Sequence, residues 1–329
     1  MPAAKIDRIT LIVSDLNQAE DDYVTAFGCD VGRRESIEQS LTRVLGIPDA
    51  SGRRSLLRLG RQHVELLEFT DWTGRPYPCD STSTDIWFQH LAIVVNDMTG
   101  AHQRIMAHPR FRPISRAGPV RLPAESGGVT AFKFRDHDNH PLELIAFPAD
   151  GGPSEWRGAN STGPFLGVDH TAIGISDSAI STRFFSSAFG FTAGPRTENR
   201  GPGQADLDDV DNVQVTVTPL ARDLPAPRIE LLDYHAGTRR PIPHDTASND
   251  IAATHSVIQV ASLEATADAL ARCGPQVSSD DLMTLHGDIP AALVTGPDRH
   301  RFLVEEQPPG DATRACELYT EQPDETRNA

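Results

Sequence analysis

Val168-Asp-His-Thr-Ala-Ile-Gly-Ile-Ser-Asp177 reads as an apolar β-strand with a histidine near its start and an aspartate seven residues later. The stretch returns three times in altered form. Phe88-Gln-His-Leu-Ala-Ile-Val-Val-Asn-Asp97 follows it closely, and Asp7-Arg-Ile-Thr-Leu-Ile-Val-Ser-Asp15 puts Arg8 in the histidine's place. Thr254-His-Ser-Val-Ile-Gln-Val-Ala-Ser262 ends in serine. The marked positions Arg8, His90, His170 and His255 lie 82, 80 and 85 residues apart. A near-constant period of this size implies four copies of one supersecondary unit.

Each copy continues in the same way. Asp15 and Asp177 can cap a helix by accepting backbone N–H bonds, and Gly28 and Gly190 can end it in the left-handed conformation, both after Ala-Phe. Ser262 to Gly274 repeats the pattern, and Asp97 to Ala107 is stopped by Pro109. Short β-type runs follow, among them His63 to Phe69, Leu142 to Phe147, Arg228 to Tyr234 and Phe302 to Glu305. The predicted fold is α+β: four βαβββ modules paired into two domains, each a curved mixed sheet around a cavity.

At 329 residues the chain suffices for two domains. The expected division is an N-terminal domain over 1–149 (modules about 5–69 and 86–147) and a Gly/Pro/Ser-rich linker over 150–164. A C-terminal domain follows over 165–307 (modules about 166–234 and 250–306), then a loosely ordered tail over 308–329. The insertions at about 74–85 and 199–209 are expected to form loops over a cavity.

Hydrophobic content of 38% and charged content of 23% suit a globular protein, and no apolar run approaches the ~20 residues of a membrane span. A net charge of -16 without a basic cluster argues against nucleic-acid partners. The start of the chain carries no basic-then-apolar signal, so a cytoplasmic location is expected, with a small-molecule substrate and room for a homodimer. Cys29, Cys79, Cys273 and Cys316 form no C-x-x-C pair and read as reduced, incidental thiols.

The closing strand of each module adds a second marked position: Glu65, Glu143, Glu230 and, in the fourth, Leu303. Burying an imidazole or a carboxylate in an apolar strand costs several kcal/mol unless it is paired or ligated. Histidine nitrogen with glutamate oxygen suits a divalent transition metal.

These features resemble the vicinal oxygen chelate superfamily of glyoxalases, bleomycin-resistance proteins, epimerases and extradiol dioxygenases. The resemblance rests on the His-x6-Asp strand starts at His90 and His170, the Ala-Phe-Gly helix ends, and the closing strand Phe134-Arg-Asp-His-Asp-Asn-His-Pro-Leu-Glu143. It implies one metal site for each pair of modules. The C-terminal half then offers His170, Glu230 and His255 as first choice, with Leu303 leaving a position open. The N-terminal half offers His90, Glu143 and Glu65 as a second site or a degenerate copy, with Arg8 repelling a metal and pairing with Glu65 or Glu143 instead.

Four modules imply a dioxygenase-like enzyme acting on vicinal oxygens, with Fe(II) as cofactor. A glyoxalase-like lyase, isomerase or epimerase would use Zn, Ni, Co or Mn and need a base, for which an unligated Glu, His140 or His235 are candidates. A metal-free ligand-binding protein is the third alternative. The pattern departs from the dioxygenases at Leu303 and in the stretch Thr295 to Phe302.

Overall fold

A computed structural model describes residues 4–71, 74–158, 163–221, 223–272, 283–285 and 289–308. The expected tail beyond Pro308, and Cys273 and Cys316, lie outside the described residues. The first module comprises β1 (Lys5–Ile12), α1 (Leu16–Phe27), β2 (Asp30–Ser36), α2 (Gln39–Val44), β3 (Gly52–Leu59) and β4 (Gln62–Phe69). The second comprises β5 (Phe88–Val95), α3 (Met98–Ala107), β6 (Arg112–Pro113), β7 (Val120–Arg121), β8 (Thr130–Arg135) and β9 (Pro141–Ala146). In the third are β10 (Phe165–Gly174), α4 (Ser178–Phe189), β11 (Thr197–Arg200), α5 (Pro202–Asp208), β12 (Gln214–Leu220) and β13 (Arg228–Tyr234). The fourth contains β14 (His255–Val260), α6 (Leu263–Ala271), β15 (Met283–Leu285), β16 (Ile289–Thr295) and β17 (Arg301–Glu306).

Capping follows the residues that predict it. Asp15 accepts from the backbone of Gln18, Asp97 from Gly100, Asp177 from Ala179 and Ile180, and Ser262 from Ala265. Gly28 and Gly190 close α1 and α4 at φ 74° and 70°, a region that L side chains rarely adopt.

The modules pair across the chain and not along it. One sheet runs β15-β16-β17-β14-β1-β4-β3-β2 and joins the first module to the fourth; the other runs β11-β12-β13-β10-β5-β9-β8-β6 and joins the second to the third. At each centre two module-opening strands lie antiparallel, β1 with β14 and β5 with β10. The expected division into 1–149 and 165–307 therefore needs correction: each half of the chain contributes one module to each sheet. The 150–164 stretch is no boundary between bodies, because it returns the chain into the same sheet. The chain changes sheets over residues 70–87 and 235–254, and buried carboxylates clamp these two crossings together. Arg75 donates to Asp250 at 2.7 Å and Arg240 to Asp85 at 2.6 Å, while Ile86 bridges to Pro241.

The helices interlock the sheets. Phe27 of α1 packs on Phe111, Phe134 and Phe165 of the second and third modules. Phe185 of α4 packs edge-on against Phe302 of the fourth. One continuous apolar core results. Truncating Phe27 to alanine would open a cavity under both sheets, at a cost of about 3–5 kcal/mol.

The inner faces of the two sheets differ. Leu41, Val44, Leu45 and Ile47 around α2 fill the first with Ile12, Leu67, Val257 and Leu303. The second stays open as a cavity. Among the described residues no helix is long and apolar enough to cross a membrane.

Candidate active site

The open cavity has a volume of about 320 Å³ and is lined from both halves of the chain, with His90, Glu143, His170 and Glu230 on its wall. Strand register explains why these four meet. His90 stands opposite Ala172 and His170 opposite Ala92; Glu143 stands beside Ala92 and Glu230 beside Ala172. Side chains at paired positions, and at every second residue of a strand, share a face. Four polar side chains thus surround two fully buried alanines whose small size keeps the centre clear.

The Nε2 atoms of His90 and His170 are 3.3 Å apart. His90 Nε2 lies 3.3 Å from Glu143 Oε2, and His170 Nε2 lies 3.5 Å from Glu230 Oε2. Ligand atoms at about 2.1 Å from one ion sit about 3.0–3.4 Å from their neighbours, so these separations fit a shared cation. Among the described residues no three His, Cys, Asp or Glu side chains already surround a common ion position. In the quartet the donors lean on one another.

Charge at the site favours a cation. Burial would lower the His170 pKa, but Glu230, Asp169 and Glu143 raise it to about 9. The imidazolium then balances the carboxylates. His90 is held well below its ordinary value by burial, Lys133 and His170, and is neutral. Burial pushes Glu143 up to about 7 against the pull of Lys133 and His170. Two imidazoles and two carboxylates are a donor set for a divalent transition metal.

Asp169 supports one of the imidazoles. A strand irregularity between Val168 and His170 lets this neighbouring residue share the cavity wall. Its carboxylate accepts from His170 Nδ1 at 2.9 Å, and also from Trp156 Nε1 at 2.5 Å and Arg228 at 3.1 Å. That bond holds His170 with Nε2 aimed at the quartet. The Nδ1 of His90 is buried without a partner among the described residues.

The first and fourth modules place other residues in the corresponding positions. Arg8 stands opposite Val257 as His90 stands opposite Ala172. Its guanidinium donates to Glu65 at 3.3 Å and to Glu305 at 2.8 and 3.2 Å, and Thr10 Oγ donates to Glu65 at 2.9 Å. Burial would raise the Glu65 pKa; Arg8 and Arg54 bring it to about 2. His255 is buried, and burial lowers its pKa to about 4. A fixed guanidinium occupies the place where the other sheet has room for an ion.

The expected sets are therefore redistributed. His170 and Glu230 of the first choice meet His90 and Glu143 of the second, whereas His255 and Glu65 lie together in the other sheet near Arg8. The expected pairing of Arg8 with Glu65 is present. Neither candidate histidine base reaches the cavity. His140 is fully buried, with Nδ1 at 2.9 Å from Asp136 and Nε2 at 3.2 Å from the Ile251 carbonyl, and His235 is half-exposed beside Thr216.

Sequence reasoning missed Asp169 and Lys133, and it marked Asn199, Gln204 and Asp208 only as part of the 199–209 insertion expected to loop over a cavity, where the structure has β11 and α5. Lys133 Nζ donates to Asp208 Oδ1 at 2.6 Å; burial opposes its charge, but Asp208, Tyr234 and Glu143 raise its pKa. Two signals were present. Asp169 directly precedes His170, and Lys133 is one of two lysines and interrupts the apolar strand Val129 to Phe134.

No family profile and no curated protein matches the sequence. Solved structures do. Glyoxalase I from Zea mays superposes with a TM-score of 0.62 at 15% identity over 92% of each chain, and a variant of it with 0.63 at 16% over the same shares. A Bacillus subtilis protein named as a candidate dioxygenase superposes with 0.52 at 13% identity, over 94% of this chain and 86% of its own. With the paired modules, these likenesses show that the chain has the fold of the vicinal oxygen chelate superfamily.

Proposed function

We propose that the chain is a metal-dependent enzyme that holds a small substrate by two neighbouring oxygens at His90, Glu143, His170 and Glu230, and that it catalyses an isomerase, epimerase or lyase reaction. The observation supporting this is the convergence of two imidazoles and two carboxylates from four strands, with donor atoms 3.3–3.5 Å apart on one cavity wall. A divalent transition-metal ion would serve there as a Lewis acid toward the substrate's oxygens.

Four protein donors leave about two positions on a six-coordinate ion, enough for adjacent substrate oxygens but not for O2 as well. Four-module length gives dioxygenases no advantage, since glyoxalase I from Zea mays matches over 92% of both chains. Glu230 is the more open carboxylate, its side chain 27% exposed against 8% for Glu143. We assign it to moving the substrate proton with the carboxylate oxygen that does not hold the ion, so that all four donors stay in place. Asp169 keeps His170 oriented, and Ile145, Leu232 and Val217 keep the wall apolar.

The reading is tested by loading the protein separately with Mn(II), Ni(II), Zn(II) and Fe(II). About one ion per chain is expected, with no O2 uptake by the Fe(II) form on catechols. Glu230→Gln should keep an ion at reduced affinity and lose about 10²–10⁴ in turnover. Rapid O2 consumption would replace this reading with a dioxygenase, and failure to bind any ion would replace it with a metal-free binding protein.

A further inference from the structure

The wall that leads away from the quartet is built as a ruler. Register places Glu230 opposite Pro219, then Leu232 opposite Val217 opposite Thr197, then Tyr234 opposite Val215 opposite Asn199. These residues share one face and all line the cavity. Four residues of strand separate the Glu230 rung from the Tyr234 rung, roughly 13 Å along the sheet. The middle rung is apolar except for Thr197.

At the far end two buried acceptors have no partner among the described residues. Gln204 is 3% exposed and Asn199 is 9% exposed, and both line the cavity. Gln204 Nε2 donates to Asp208 Oδ2 at 2.7 Å, which fixes the amide so that its carbonyl oxygen is the atom left over. Gln204 Oε1 and Asn199 Oδ1 are buried without hydrogen-bond partners among the described residues. Leaving a buried acceptor unpaired costs free energy, so two on one wall point to a bound group that supplies donors.

The charges near this wall exclude the opposite kind of group. The lysine and the arginine among the described residues lining the cavity are both engaged: Lys133 with Asp208 at 2.6 Å, and Arg228 with Glu155 at 2.5 Å and Asp169 at 3.1 Å. A ligand carboxylate at the far end would meet the fixed Gln204 carbonyl oxygen, with the Asp208 carboxylate behind it.

We propose that this wall is a recognition site for the tail of the substrate. The tail is a neutral or cationic N–H or O–H donor, an amide, amine or hydroxyl, carried about 10 Å from the oxygens held at the quartet by an apolar spacer. The assignment of the head rests on the proposed metal-dependent function; the tail site rests on Gln204 and Asn199 alone.

Two sets of probes separate these claims. On metal-free full-length protein, para-methylbenzamide and para-methylbenzylamine are compared with para-methylbenzoate by saturation-transfer NMR and calorimetry. On Mn(II)-loaded protein, para-aminomethyl- and para-carbamoyl-cinnamohydroxamate, whose vinyl spacer brings the span to about 10 Å, are compared with the para-carboxy compound. Donor-bearing probes should bind about tenfold tighter than the carboxylates, and Asn199→Ala should narrow the ratio to about threefold without changing Mn(II) stoichiometry. Asn199→Asp, equal in size, should widen the preference for the amine. Equal or tighter carboxylate binding, or a ratio indifferent to both Asn199 variants, overturns the tail site even if Mn(II) binds. Discrimination by the metal-free protein that persists when Mn(II) does not bind supports the tail site and rejects the metal reading.

Discussion

Arg8 and His90 hold the same register in the two sheets, Arg8 opposite Val257 and His90 opposite Ala172, yet one is a permanent cation bonded to Glu65 and Glu305 and the other a neutral imidazole facing Glu143. One repeat thus yields a charge-closed site in the first and fourth modules and a charge-open one in the second and third. Apolar side chains around α2 fill the closed site's face. The open site keeps its cavity.

Removing the fixed cation should therefore affect stability and not chemistry. Arg8→Met leaves Glu65 and Glu305 buried without their main counterion, a loss of about 3–5 kcal/mol in urea unfolding. Metal stoichiometry at the quartet should not change. A variant as stable as the native chain would show that the pair is not needed by the fold.

Acid should act on the same sheet in two steps. The His255 pKa is lowered to about 4, so the unfolded chain takes its proton first and stability falls as the pH drops from about 6.5 to 4. The Glu65 pKa is lowered to about 2, so its contribution is complete above about 4.5 and is lost as the pH falls toward 2. Each is on the order of 3 kcal/mol. His255→Gln should remove the upper step, seen as a smaller change in urea midpoint between pH 7 and 4.5. An unchanged pH profile in that variant would contradict the assignment.

Asp169 should act on the metal through His170. Asp169→Asn keeps the size but weakens the acceptor for Nδ1, and a 10–100-fold loss in ion affinity with stoichiometry retained is expected from titration calorimetry. Unchanged affinity would remove Asp169 from the site.

Much of this was legible in the sequence because it is local. The strand-helix grammar, the caps Asp15, Asp97, Asp177 and Ser262, and the equivalence of Arg8, His90, His170 and His255 are written in short-range patterns, and each cap is where the residues put it. Module pairing is not local. All four opening strands are apolar enough to take a neighbour, and nothing within a module says which one. Contacts that accompany the pairing, Arg75 with Asp250 and Arg240 with Asp85, join stretches about 150 residues or more apart, one of them the 74–85 insertion that reads as a loop over a cavity and instead lies at a crossing between the sheets. Pairing consecutive modules therefore drew His255 toward His170 and left His90 with Glu65, when the sheets do the reverse.

The most direct test is the metal content of four variants purified without chelator. His90→Ala and His170→Ala should each lose the bound ion or weaken it by at least about a hundredfold, whereas His255→Ala and Glu65→Gln should keep about one ion per chain. Retention of the ion in His90→Ala together with its loss in His255→Ala would contradict the account, because it would place the metal between modules that the sheets keep apart.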